Sequence, residues 1–324
     1  MCCLKHLFKQ AFVCEKHKHL IKTFKNYWRL DCKMGVFSRS WELAKTTFSV
    51  MKKEKELFVF PVLSVIFSII FALAILFPTI IVYLIGGEGI TLGIMEFLLL
   101  FLLYFGIAFI AVFFNFCVVY TSAVAFSGKS PRFWETIKYA LSKIHLILLW
   151  SLVSATIGLI FRILDGIAEK TKGIGGIFAA ITLFLFKLSW AIATIFVIPV
   201  IVYQNVGPFD ALKKSVETIK KTWGENLVAF FGLGLVIFIT FALALIIGCG
   251  ITILGFIISP LIGVIFLLLS FFIILFIFLI FGVASSVFNT ALYVYAETGQ
   301  VVGGYDKESM KNAFRQKRKI LLGF

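Results

Sequence analysis

The segment "SRSWELAKTTFSV" (residues 38–50) lies directly before the first long apolar run of the chain, which begins at residue 57. Within it, a basic residue, a glutamate and a lysine follow one another at three-residue intervals. The same order returns in "RFWETIKYALSKI" (132–144) and in "KSVETIKKTWGEN" (214–226). Apolar residues recur at spacings of three and four in these segments, which predicts amphipathic helices. The aligned triplets are Arg39/Glu42/Lys45, Arg132/Glu135/Lys138 and Lys214/Glu217/Lys220.

Two apolar runs follow each of the three segments. The sequence therefore predicts a threefold repeat of one amphipathic interfacial helix and two membrane spans. The predicted units cover about 37–126, 130–206 and 210–297. All three have the same orientation, and parallel repeats are a known plan for membrane proteins. The recurring charges have two explanations, which are common ancestry of the units and a functional ring at the cytoplasmic face.

The composition indicates a membrane protein. Of the 324 residues, 61% are hydrophobic and 15% are charged, whereas soluble domains have about 45–50% and about 25%. We predict an all-α, polytopic transmembrane helical bundle of about six spans. Glycine and proline within 250–265 predict a re-entrant or interfacial piece. The expected spans are 57–85, 97–126, 144–163, a run that ends near 203 and begins between 176 and 188, 226–248, and a run within 261–296.

The net charge of +15 is explained by topology. Of the 31 Lys and Arg residues, 27 lie in alternate connections, within 1–56, 127–146, 207–226 and 300–324. Basic residues concentrate in cytoplasmic loops. We therefore expect a multi-pass protein of the cell membrane with both termini in the cytoplasm. This distribution argues against nucleic acid as a partner.

We divide the chain into a basic tail (1–33), a transmembrane domain (34–300) and a basic, amphipathic cytoplasmic tail (301–324). The first tail carries four cysteines and three histidines. Three interpretations stay open for it: a loose tail upstream of an alternative start at Met34, a metal site, and a contact with lipid or the membrane surface. Structural zinc needs four ligands, usually in two close pairs, and the spacing here is irregular.

Three polar residues within or beside the spans are candidate functional residues. Lys187 is at membrane depth if the fourth span begins near 176, where ionisable groups are functional by default. If that span begins near 187, Lys187 lies at the outer interface and 174–186 is an outer interfacial segment, which is the interpretation we favour. Asn115 and Asn289 fall at similar depths, and they predict either hydrogen bonds between helices or a polar pathway.

Three strings carry a resemblance to a known family. They are "GVFSRSWELAKTTFSVMKKEKELFVFPVLS" (35–64), "FVIPVIVYQNVGPFDALKKSVETIKKTW" (196–223) and "YAETGQVVGGYDKESMKNAFRQK" (295–317). The chain resembles an uncharacterised family of six-span prokaryotic integral membrane proteins, over roughly 35–317. The middle string is also distantly similar to the membrane domain of glycerophosphodiester phosphodiesterases. The resemblance implies an architecture and no catalytic residue, because the soluble phosphodiesterase domain is absent.

The spans contain no GxSxG, no HExxH and no paired-carboxylate site. We therefore expect no enzymatic activity, no cofactor and no metal in the membrane domain. The function that the sequence favours is a non-catalytic, lipid-interacting or membrane-organising protein, with anionic lipid headgroups as partners. A transporter or channel for a lipid or small molecule is the alternative, and a membrane-embedded enzyme is the third hypothesis. A protein partner and the oligomeric state stay open.

Overall fold

The helices of this protein account for the predicted spans. A computed structural model describes residues 36–86, 93–171 and 173–302, and over those ranges the chain is helical without a strand. The predicted all-α, six-span fold is confirmed. Both predicted tails, apart from residues 301 and 302, lie outside the described residues. The segments long and apolar enough to cross a membrane are Glu56–Pro78, Phe97–Phe126, Ile144–Lys170, Gly175–Gln204, Val236–Ile258 and Pro260–Thr298.

The first two spans follow an amphipathic helix. Helix α1 (Val36–Lys53) ends two residues before α2 (Glu56–Gly86), and α2 packs against α3 (Gly93–Phe126). The turn between α1 and α2 is tight, because the Leu57 N–H donates to the Glu54 carbonyl at 3.2 Å. The first amphipathic segment is therefore a separate helix at the entrance to the first span.

The next two helices repeat this arrangement. Helix α4 (Phe133–Ser142) is separated from α5 (Ile144–Lys170) by Lys143 alone. The Lys143 N–H donates to the Ala140 carbonyl at 3.1 Å, which closes the last turn of α4. Helix α5 runs seven residues beyond the end predicted at 163. No proline or helix-ending glycine motif precedes Lys170, so the apolar helix continues into the charged residues that follow it.

The fourth span is broken. It consists of α6 (Ile174–Ala193) and α7 (Val197–Gln204), with a turn at 194–196. Pro199 explains the break, because it has no N–H to bond four residues back and its ring crowds the preceding turn. Pro199 is the third residue of α7, a position at which the backbone N–H would have no partner within the helix.

The last two spans form a helical hairpin. Helix α8 (Pro208–Ile258) carries the third amphipathic segment and continues through the fifth span without interruption. It begins at Pro208, because proline is well suited to the first helical position. Ser259 alone, in extended conformation, separates α8 from α9 (Pro260–Thr298).

Glycines let α8 and α9 approach closely next to this connection. A Cβ on Gly255 would lie 3.1 Å from the Gly263 Cα and 2.7 Å from the Phe266 ring. Further along, the Ser270 hydroxyl donates to the Gly248 carbonyl at 3.3 Å. Small residues at such contacts are typical of helix association in membranes.

Two predictions about segments are wrong. Residues 250–265 are no re-entrant piece, because they form the end of α8 and the start of α9. The glycines that suggested a broken backbone instead serve close helix packing. Residues 174–186 are no separate interfacial segment either. Helix α6 begins at Ile174 and passes through Lys187 to Ala193, since no proline interrupts it before the break.

The core lies at one end of the bundle. We call this the packed end, formed by α1, α4, α7, the starts of α2, α5 and α8, and the last parts of α3 and α9. Large apolar side chains elsewhere are exposed, for example Leu84, Phe178 and Ile257, as expected of a surface that faces lipid. The largest fully buried side chains of the packed end are Met51, Leu57, Phe60, Phe116, Val119, Ile147, Phe196, Val197, Ile201, Phe288 and Leu292.

Candidate functional site

Helix α4 has one buried and one exposed face at the packed end. Thr136 and Ala140 are fully buried against the bundle. Trp134, on another face, is 71% exposed. The charged residues Glu135 and Lys138 are also exposed. The helix therefore attaches to the protein by small residues and leaves both an aromatic ring and charges at the surface, which suits a membrane interface.

The charged triplet on α4 forms one weak ion pair. The Arg132 Nη1 and the Glu135 Oε1 are 3.3 Å apart, and both side chains are largely exposed. Such pairs three residues apart contribute only about 0.2–0.5 kcal/mol. The third triplet differs, because Lys214 donates to the Gln204 side chain instead of pairing within its helix. In the third triplet, the first base therefore acts between helices and not through a pair within its own helix.

Helices α1 and α8 resemble α4 in burial. Thr47 and Met51 of α1 are fully buried, and Ser215 and Thr218 of α8 are buried as well. Thr218 and Thr136 share a register position, four residues after the first base of each triplet. In contrast, the last lysine of every triplet is exposed, as is Glu217. The side chains of Arg39 and Glu42 lie outside the described residues. The exposed lysines are Lys45, Lys138 and Lys220.

A polar network joins the helices of the packed end. Lys214 at the start of α8 donates to the Gln204 carbonyl oxygen at the end of α7. The Gln204 amide donates to the Tyr293 hydroxyl on α9 at 2.7 Å. Next to it, the Thr218 hydroxyl donates to Glu297 at 2.9 Å. Sequence reasoning found Lys214 but missed the rest of the network, because the network spans three helices whose packing the sequence does not reveal.

Ser215 satisfies the backbone at the break in the fourth span. Its hydroxyl donates to the Ala193 carbonyl at 2.7 Å and accepts from the Phe196 N–H at 3.2 Å. These are groups that the broken helix leaves without a partner, and unsatisfied backbone groups are costly in a membrane. Ser215 therefore connects the break in the fourth span to the third amphipathic segment.

The two predicted asparagines have different surroundings. Asn115 on α3 accepts a hydrogen bond from the Ser286 hydroxyl on α9 at 2.8 Å. Both residues line a cavity of about 410 Å³ between α2, α3 and α9. Asn289 is not part of its lining, and its buried Oδ1 has no hydrogen-bond partner among the described residues. The sequence placed the two at similar depths but could not indicate that Ser286 is the partner of Asn115.

Lys187 forms an ion pair between α5 and α6. Its Nζ lies 2.6 Å from Oδ1 and 2.7 Å from Oδ2 of Asp165. The two side chains are 39% and 36% exposed, and they line a smaller cavity of about 240 Å³ together with Glu169. Lys187 stands within an apolar run of the sequence, which is the signal that could have indicated its need for an acidic partner.

No group of three or more metal-ligating side chains occurs among the described residues. The Cys- and His-containing tail, for which a metal site stayed open, lies outside them. The arrangement in the described part is suited to binding: exposed bases and an exposed tryptophan at the packed end, and an apolar cavity beside it. The side chains of its polar network are engaged in hydrogen bonds between helices.

These features define a multi-pass membrane protein with amphipathic helices next to its spans. A comparison with protein families matches residues 94–304 to the "Family of unknown function (DUF6159)", and the chain belongs to this family. No curated protein matches the chain. The expected membership of an uncharacterised membrane family is therefore confirmed. The distant similarity to the phosphodiesterase membrane domain has no support from these comparisons.

Proposed function

We propose that this protein is a non-catalytic, lipid-binding membrane protein that holds anionic headgroups at its packed end. One observation carries the proposal. Lys45, Lys138 and Lys220 are exposed, while the opposite faces of their helices are buried in the core. The bundle thus fixes the three bases in place and leaves them exposed at the surface of the packed end.

The chemistry of these helices fits the headgroup region. Lysine side chains extend their charge toward phosphate while their apolar stems stay along the helix. Each base near an anionic surface contributes about 1 kcal/mol of attraction. Trp134, and also Phe209 with 73% of its surface exposed, add apolar contacts beside the charges. Aromatic and basic side chains together are typical of interfacial helices.

The orientation and the repeat belong to this proposal. With the packed end in the cytoplasm, the three lysines face the leaflet that carries anionic lipid, and both termini are cytoplasmic. The common register of Thr136 and Thr218 supports the equivalence of the second and third helix–span–span units, and the proposal extends it to the first. We place the protein in the cell membrane, with lipids as its partners, and assign no catalytic role to any described residue.

A transporter for a lipid or small molecule is the second candidate. It is favoured by the break between α6 and α7 inside the fourth span, because discontinuous helices often line substrate sites in transporters. Lys187, Asn115 and Asn289 supply polar groups within the spans. The test uses vesicles that contain the purified protein. Faster movement of a labelled lipid between the two leaflets of their membrane would support this candidate over a static lipid-binding role.

The first proposal is tested by native mass spectrometry of the full chain in mild detergent. Phosphatidylglycerol and phosphatidylcholine with equal acyl chains are offered together. We expect the wild type to bind more phosphatidylglycerol than phosphatidylcholine. In the variant K45Q/K138Q/K220Q, the ratio of the two bound lipids should fall on the order of tenfold.

The matched control replaces exposed bases at the other end of α5. The R162Q/K170Q variant should keep the wild-type preference, because both residues lie far along α5 from the packed end. An unchanged preference in the triple lysine variant, or no preference in the wild type, would contradict the proposal.

A further inference from the structure

We propose that the cavity between α2, α3 and α9 binds one acyl chain of an anionic phospholipid, with the phosphate at Lys52, Lys53 and Lys55. This inference rests on the proposed lipid-binding function and assigns it a specific site. It is independent of the three lysines of the repeated triplets.

The walls of the cavity suit a hydrocarbon chain. Its volume of about 410 Å³ is within the range of roughly 300–1,000 Å³ that is usual for ligand sites. Val65, Phe114, Val118 and Val283 belong to its mainly apolar lining. All three helices contain candidate membrane spans, and Phe278 and Gly282 of the lining are exposed, so the cavity opens at the apolar surface of the bundle.

One polar pair interrupts the apolar lining. The Ser286 hydroxyl donates to the Asn115 Oδ1 at 2.8 Å. An asparagine amide also carries two N–H donors, and the nitrogen of Asn115 has no hydrogen bond within the described part of the chain. An acyl ester carbonyl is an acceptor without a donor of its own. Asn115 therefore provides the complementary group for the ester of a phospholipid.

The depth of Asn115 agrees with this assignment. It precedes Tyr120 by five residues on α3, which corresponds to about 7–8 Å along the helix axis. Tyrosine is typical of the headgroup level. A carbonyl bonded to Asn115 therefore lies just below that level, where the ester groups of a phospholipid are found.

Three lysines lie close to the headgroup level at the start of the neighbouring helix α2. Lys52, Lys53 and Lys55 are exposed at the turn between α1 and α2. Pro61, which lines the cavity, follows Lys55 by six residues, about 9 Å along α2. A phosphate at these lysines and an acyl chain in the cavity thus belong to one lipid molecule. Their charge selects an anionic headgroup.

The mouth of the cavity offers a direct test. Gly282 on α9 lines the cavity and is exposed, and a Cβ at this position would meet no atom within 4 Å. A leucine there enters open space and fills the site without a backbone clash. Gly250 on α8 is also exposed with open space around it, and it lies outside the cavity. It provides the matched control.

The experiment compares purified full-length wild type, G282L and G250L by native mass spectrometry with phosphatidylglycerol as the probe. We expect G282L to lose one tightly bound lipid per chain and G250L to keep it. A variant with glutamine at Lys52, Lys53 and Lys55 should still bind a lipid, but its preference for phosphatidylglycerol over phosphatidylcholine should fall on the order of tenfold.

The outcomes separate this inference from the proposed function. If G282L, folded as shown by its helicity and elution volume, binds as many lipids as the wild type, the acyl-chain site is wrong, whatever the triplet lysines do. If G282L loses the lipid while K45Q/K138Q/K220Q keeps its headgroup preference, the site stands and the proposed role of the triplet lysines fails. Should G282L not fold, A111L at the same mouth is interpreted in the same way.

Discussion

The Lys187 ammonium lies 2.6 and 2.7 Å from the two carboxylate oxygens of Asp165 and thereby joins α6 to α5. Each charge neutralises the other in apolar surroundings. An unpaired charge in a span is costly, by about 2.5–3.5 kcal/mol on insertion scales. The pair is therefore sufficient to explain why a lysine is tolerated in the middle of α6.

Replacing one member of this pair should destabilise the protein. For K187L we expect a loss of about 2 kcal/mol, reduced from the cost of a fully buried charge because both side chains are partly exposed. The double variant K187L/D165L should recover most of the loss, since no charge is left alone. Thermal unfolding in detergent of both single variants and the double variant gives the coupling energy. Strictly additive effects would mean that the pair contributes nothing to stability.

Gly255 should tolerate no larger side chain. A Cβ there would lie 3.1 Å from the Gly263 Cα, which is backbone and cannot move aside easily. For G255L we expect about 1–3 kcal/mol of destabilisation from overpacking. The measurement is the denaturant midpoint in detergent, with G250L as the control, because its added side chain enters open space. Equal midpoints for the two variants would show that the close approach of α8 and α9 is not needed.

Ser215 should be required for the break in the fourth span. In S215A, the Ala193 carbonyl and the Phe196 N–H lose their partner, at about 1–3 kcal/mol for each unsatisfied group. Hydrogen exchange of the Phe196 amide should accelerate together with the loss of stability. S189A is the matched control, because the exposed Ser189 hydroxyl bonds only the Leu185 carbonyl of its own helix. Unchanged exchange in S215A would overturn this role.

The packed end should weaken at high pH. Burial, and then the nearby Tyr120, raise the pKa of the Tyr139 hydroxyl above its usual range. In the unfolded chain this group loses its proton near pH 10, so the folded state binds more protons above that pH and stability falls as the pH rises. The Y139F variant should show a shallower loss between about pH 9 and 11 in thermal unfolding. An identical slope in both proteins would exclude Tyr139 as a contributor.

The sequence was informative about the spans because a run of apolar residues has few alternatives to crossing the membrane. It was misleading at 250–265, because a glycine that enables close helix packing cannot be distinguished in the sequence from a glycine that breaks a helix. It could not indicate that the third amphipathic segment continues into its span, since α1 and α4 both end before theirs.

The candidate site was less predictable. Lys187 was identified from its apolar surroundings, but its partner Asp165 is determined by the alignment of α5 with α6 in space. The same holds for Asn115 with Ser286 and for Ser215 with the broken helix. Each of these contacts depends on which faces of two helices meet, and a periodicity within one helix contains no information about its neighbour.

The central claim is that the interfacial helices contact anionic lipid, and Trp134 provides the most direct test. Its ring is 71% exposed on α4, the helix that also carries Lys138. The protein is reconstituted into vesicles with brominated phosphatidylglycerol or brominated phosphatidylcholine, and the fluorescence of W134F is subtracted to isolate the signal of Trp134. We predict stronger quenching by the anionic lipid, and equal quenching by both lipids in K45Q/K138Q/K220Q. Equal quenching of the wild type by both lipids would contradict the account.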